Sequence, residues 1–327
     1  MKITQHLRVP KPWIIGVLAL CAALVLPLFI KSYWLHVIIV AYLYAILASS
    51  WSFLAGYAGQ FSFGHMAFMA IGAYTSGLLG KYIALPPLLD ILAGTLAAGL
   101  AGFVIGYLVL RFKAAYLALF TIAFSEILRM VLKGETQITD GDHGLKVVKL
   151  FGETISRLPY YYTILAVLGV VLVLLFALSS SRIGMFLRAI REDEEAAYAR
   201  GVDIVHYKIL AFVITSMMAG LSGSFYAHYI GLITPSMMVL PQMGLVIAMA
   251  IIGGVENLAA AAIGGILIQI SLEVLRELGA WRLVFFGALL VVTLRFARNG
   301  LLAPLFQHLF AFGPRAEGRK ETLVDGD

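Results

Sequence analysis

Two uninterrupted apolar runs, "WIIGVLALCAALVLPLFI" (13–30) and "YYTILAVLGVVLVLLFAL" (161–178), constrain this chain more than any other feature. Each nearly matches the roughly 20 helical residues needed to cross a hydrocarbon core about 30 Å thick. Inside hydrocarbon the backbone must satisfy its own hydrogen bonds, which leaves helices or closed barrels. Barrel strands would alternate apolar and polar residues over short segments, and these runs do not alternate. The composition agrees: 61% of the 327 residues are hydrophobic and only 13% charged, with a mean hydropathy of +0.94. Soluble domains carry about a quarter charged residues. The expectation is an all-α polytopic transmembrane helical bundle.

Marking apolar runs against breakers predicts about ten membrane segments, some broken or re-entrant: roughly 12–30, 34–55, 63–80, 86–110, 114–132, 159–180, 207–230, 242–256, 258–275 and 281–297. The first run is too long for the apolar region of a cleaved leader and is read as a retained helix. It contains Cys21, the single cysteine, so neither a disulfide framework nor a thiol metal site is expected. Lys and Arg concentrate on the side that holds the N-terminus and residues 181–206, which predicts that both termini and that loop are cytoplasmic. Residues 1–311 then form one membrane domain, with an external loop at 133–158 and a polar, disordered cytoplasmic tail at 312–327.

The loop 181–206 carries the densest charge in the chain. Ile183, Phe186, Leu187 and Ile190 fall at helical spacing, followed by the acids Glu192 to Glu195 and a turn near Gly201. One reading is a solvated connection whose charges keep it out of lipid. The other follows from Glu195, Ala196, Ala197 and Gly201, whose spacing matches the coupling motif of ABC importer permeases. Alanines there permit close helix approach, glycine supplies the turn, and Arg191 orients the contact.

The likeness extends along the chain. "GYAGQFSFGHMAFMAIGAYTSGLL" (56–79), "AAYLALFTIAFSEILRMVL" (114–132), "GMFLRAIREDEEAAYARGVDIVHYKILAFVITSMMAGLSGSFYA" (184–227) and "AMAIIGGVENLAAAAIGGIL" (248–267) together resemble the branched-chain amino acid ABC transporter permeases of the LivM type. The similarity runs from about residue 35 to 302, with Glu256 standing where that family often has glycine. It implies a homologous second permease subunit, two cytoplasmic ABC ATPases and an external solute-binding protein. It also implies import by alternating access across an inner membrane, with ATP and Mg on the ATPases and no cofactor on this chain.

The motifs that the chain lacks agree with a non-catalytic role. Its Gly80-Lys81 pair is followed by Tyr82 and no glycine-rich strand-to-helix loop precedes it, so no phosphate-binding loop is present. No His-Glu pair offers a zinc protease pattern, and no catalytic, metal or nucleic-acid site is expected. Asp140, Asp142 and Gly144 only faintly match a calcium loop. Two glycine-interrupted stretches are the best candidates for a translocation pathway: Gly56, Gly59, Gln60, Ser62, Gly64 and His65, and Gly253, Gly254, Glu256 and Asn257. The competing reading of such glycines is close helix packing, as for Gly102 and Gly106. Glu126 and Arg129 read as an ion pair within the fifth segment. Outside this architecture the alternative is an ion-gradient-driven secondary transporter. Within it, urea or a short amide is the alternative cargo.

Overall fold

The computed structural model describes residue 16 and residues 20–109, 114–152, 156–279 and 281–296. The expected start of the first segment, the positive charges at 2–11 and 111–113, and the tail 312–327 lie outside the described residues.

The described residues are helical almost throughout. After a short helical stretch at 20–25 (α1), the long elements are α2 (Ser32–Ser52), α3 (His65–Tyr82), α4 (Pro87–Val109), α5 (Ala114–Gly134), α6 (Leu158–Ser180) and α9 (Ile204–Ile230). Two short helices, α7 (Arg182–Glu192) and α8 (Glu194–Ala199), connect α6 to α9, and the chain continues through α10 (Leu240–Gly253), α11 (Leu258–Val274) and α12 (Trp281–Phe296). From α2 onward, the elements other than α7 and α8 overlap the apolar segments read from the sequence. Among the described residues, five helical stretches are long and apolar enough to cross a membrane: Ser32–Tyr57, Pro87–Val109, Leu158–Ser180, Ile204–Ile230 and Leu258–Leu278. At about 1.5 Å per residue, α10 rises only about 21 Å.

The innermost helix is α2, where Ile39, Leu43, Ile46, Leu47 and Trp51 are all fully buried. It is apolar on every face, the pattern of a helix enclosed by others. It continues without a break into a π-helical turn, Phe53–Tyr57.

Around it, α3, α4 and α9 pack through small residues. A Cβ on Gly102 would meet Ser216 Oγ, and one on Gly106 would lie 3.1 Å from Phe212 Cβ. The packing reading of Gly102 and Gly106 therefore holds. Such close approach supplies the van der Waals contact that drives helix association in lipid, where no hydrophobic force acts between helices.

The helices share two ends. At one, Arg157 Nη1 donates to Ser32 O (2.7 Å), Lys81 pairs with Asp140 (2.8 Å), and a two-residue antiparallel ladder matches Leu145 with Ile233 and Lys146 with Leu232. The expected external loop 133–158 is thereby fastened to the C-terminus of α9. At the other end lie Gly56, the α10–α11 turn and α7–α8. The loops 133–158 and 181–206 thus lie at opposite ends of α6 and α9.

Candidate functional site

The loop 181–206 is built as a helical elbow. Ser181 caps α7 by accepting from Ile183 N (3.2 Å), and Leu187 and Ile190 turn inward. Asp193 ends α7 in an extended conformation and caps α8, its Oδ1 accepting from Ala196 N (2.9 Å). Two helices therefore stand where the apolar spacing suggested one, because a side-chain acceptor at Asp193 satisfies a free N–H of the new helix. At the far end, Gly201 takes φ +81° and the Val202 N–H reaches back to Ala197 O (3.2 Å), closing a Schellman turn. The expected turn at Gly201 is there, and it needs glycine for its left-handed backbone.

The coupling residues divide by surroundings. Glu195 and Ala196 are exposed, as is Tyr198, whereas Ala197 is only 5% exposed and packs within the subunit. Glu194 pairs with Lys208 of α9 (2.7 Å). Beside α8 a groove of about 740 Å³ is lined by Tyr198, Gly201, Val202, Ile204 and Lys208 among others.

Two arginines tie the elbow to the bundle. Arg188 donates to Ser179 O (2.7 Å) and Gly184 O (3.2 Å), and its guanidinium sits 5.3 Å from the centre of the Tyr57 ring. Arg191 donates through one nitrogen both to the Gly56 carbonyl and to Glu256 Oε1, the latter at 2.8 Å. Its aliphatic stem covers Gly59, where a Cβ would lie 2.8 Å from Arg191 Cγ. Gly59 also adopts φ +67°, so both space and backbone favour glycine there.

The two glycine-interrupted stretches meet at this point. Ser52 Oγ donates to Val255 O (2.6 Å), Tyr57 OH donates to Glu256 O (3.2 Å), and a Cβ on Gly56 would collide with Val255 O. Gly253 lies against Ala260 O, Gly254 takes φ +136°, and Asn257 caps α11 by accepting from Ala260 N (3.1 Å). Gly56 and Gly253 thus spend their missing side chains on contacts within the subunit. Ser62 closes the turn into α3, its Oγ accepting from Gly64 N (3.1 Å) while its carbonyl accepts from Trp51 Nε1 (2.8 Å). Gly64 has room for a Cβ only 3.2 Å from the Phe68 ring. Gln60 and His65 are buried, Gln60 Oε1 has no hydrogen-bond partner among the described residues, and the His65 ring lies against the Ser50 backbone. Phe63 joins this stretch to α5 through Thr121 Oγ1 (2.9 Å). Glu126 and Arg129 form the expected ion pair one turn further along α5.

Sequence reasoning missed Ser52, Tyr57, Val255 and Thr121. They carry no signal of a role in the sequence, and only packing between distant segments gives them partners.

A family model described as "Branched-chain amino acid transport system / permease component" matches residues 33–294, which contain both stretches and the elbow that joins them. The chain belongs to this permease family. The permease is 30% identical to the high-affinity branched-chain amino acid transport system permease protein LivM of Escherichia coli K12 over 287 residues, 80% of this chain and 68% of that relative. It is 25% identical over 257 residues to LivH of the same organism, covering 70% of this chain and 80% of LivH. A more distant likeness, 21% over 240 residues, is to the fructose import permease protein FrcC of Rhizobium meliloti, with 68% and 67% covered. No solved structure matches. Likeness to both LivM and LivH indicates one of a pair of permeases in a multi-component ABC transporter.

Proposed function

We propose that this permease imports branched-chain or other hydrophobic amino acids across a bacterial inner membrane, through about ten membrane segments, with both termini cytoplasmic. Of two separate ABC ATPases, one docks on the exposed face of α8 at Glu195, Ala196 and Tyr198. An external solute-binding protein delivers cargo at the 133–158 face. The observation that carries this reading is the Arg191 bridge, because it connects the elbow to Gly56 and Glu256. Movement imposed on α7–α8 by ATPase closure reaches both glycine-interrupted stretches through one side chain. Those stretches, from Gly56 to His65 and Gly253 to Asn257, border the solute route. The relatives' names support amino-acid cargo, and the fructose permease shows that related chains carry other solutes.

Reconstitution with the second permease, the ATPases and the binding protein tests the reading. The expected result is uptake of labelled leucine or valine that requires ATP. Uptake that follows a proton or sodium gradient without nucleotide would overturn it, and transport of urea or a sugar instead would overturn the cargo alone.

A further inference from the structure

Helices α4 and α9 run antiparallel in a register that small residues fix. A Cβ on Gly94 would meet Ser224 Oγ, Ala98 Cβ occupies the space a side chain on Gly220 would take, and Gly102 and Gly106 face Ser216 and Phe212. Each four-residue step along α4 is thus matched by a four-residue step back along α9. One step outward from the Gly94–Ser224 contact, the register sets Asp90 opposite His228.

Both residues are fully buried, and the two groups lie within electrostatic reach of each other. Neither Asp90 oxygen, nor His228 Nε2, has a hydrogen-bond partner among the described residues. The other imidazole nitrogen is committed: His228 Nδ1 lies 2.6 Å from Val148 O in the outer loop. A carbonyl only accepts, so Nδ1 carries a proton there. From α3, Gly80 closes over the carboxyl, where a Cβ would lie 2.8 Å from Asp90 Oδ2. A carboxylate beside an unprotonated Nε2, with no bond between them, leaves two acceptors without a donor in a dry interior, at the full cost of leaving both unsatisfied.

We propose that Asp90 and His228 hold one proton between them, as carboxylate and imidazolium or as carboxylic acid and imidazole, and that this proton fixes the ring that anchors the outer loop. Donor counting gives the reason: with Nδ1 engaged by Val148 O, the neighbouring carboxyl and Nε2 have no donor to share, and one added proton would supply it. The loop is fastened next to this ring, since Leu150 N donates to His228 O (3.1 Å) and Val147 N to Gly231 O (3.0 Å). The pair therefore positions the surface assigned above to the binding protein, although the inference itself does not depend on transport.

Full-length variants test this by thermal unfolding in detergent and by maleimide labelling of a reporter cysteine. Val147→Cys in a Cys21→Ser background reports loop lifting, because Val147 is 6% exposed. Asp90→Asn keeps a donor for Nε2, so midpoint and labelling rate should match the parent. Asp90→Leu and His228→Leu should each lower the midpoint and raise labelling several-fold. The Asp90→Leu/His228→Leu double variant should recover most of the midpoint, since no unpaired polar group remains between α4 and α9, yet still label fast because the Val148 carbonyl has lost its donor. Additive losses in the double variant would overturn the pairing. Equal damage from Asp90→Asn and Asp90→Leu would overturn the shared proton, and that comparison survives even if the leucine variant fails to accumulate.

Discussion

Arg191 of the α7–α8 elbow and Glu256 of the α10–α11 turn pair at 2.8 Å, while the same guanidinium nitrogen holds the Gly56 carbonyl. The pair is partly exposed, with the Glu256 side chain 73% accessible, so as an ion pair it contributes only about 0–1 kcal/mol. Its value lies in what it connects. Glu256→Gln should leave membrane abundance unchanged and reduce ATP-dependent uptake modestly. Arg191→Ala, which also frees the Gly56 carbonyl and uncovers Gly59, should cut uptake far more at equal abundance. Equal uptake by the two variants would show that the carbonyl bond transmits nothing.

Asp193 is worth more than an exposed charge usually is, because it caps α8. Asp193→Ala should cost about 0.5–2 kcal/mol of local stability. The readout is faster tryptic cleavage after Arg200 and weaker co-purification with the ATPases. Asp193→Asn keeps an acceptor and should behave as the parent; if it is as damaged as the alanine variant, charge rather than capping is what matters.

Gly201→Val places a β-branched side chain at φ +81°, a left-handed conformation that costs such residues roughly 1–2 kcal/mol or more. No neighbouring atom obstructs a Cβ there, so Gly201→Asn should be far milder. ATPase co-purification of the two variants checks the order. Ala197→Leu, by contrast, should fail by unseating α8 within the subunit, seen as protease sensitivity of the isolated permease.

Gly220→Leu should lower the yield of folded protein, since Ala98 Cβ already fills the space its side chain would need. Overpacking of this kind costs about 1–3 kcal/mol. Fluorescence-detected size exclusion in detergent would show it as aggregation, and a monodisperse peak of parental height would contradict the α4–α9 register.

Single cysteines at Glu195 and Lys146, in a Cys21→Ser background, check the sidedness. An impermeant maleimide applied to intact cells should label position 146 and spare position 195; the reverse pattern inverts the topology.

The sequence by itself determined the class of the protein, the position of its helices and the family to which it belongs. Those properties are local: unbroken apolar runs can only be helices in hydrocarbon, and motifs such as Glu195 to Gly201 or Gly56 to His65 are legible as spacing. The turn at Gly201 was equally legible, because only glycine takes that backbone at little cost. The break at Asp193 was harder to see, since an acid in an acidic run gives no sign of which one will cap. What the tertiary structure alone decided is pairing across long separations. Only packing brings Gly56 against Val255, puts Arg191 between Gly56 and Glu256, buries Ala197 inward, and sets Asp90 opposite His228. An isolated acid in the apolar run 86–110 was a signal for Asp90, but its partner lies 138 positions away. In lipid, helices choose neighbours by shape rather than by hydrophobicity, and the fit of glycine against backbone is a property of two surfaces that neither sequence segment contains alone.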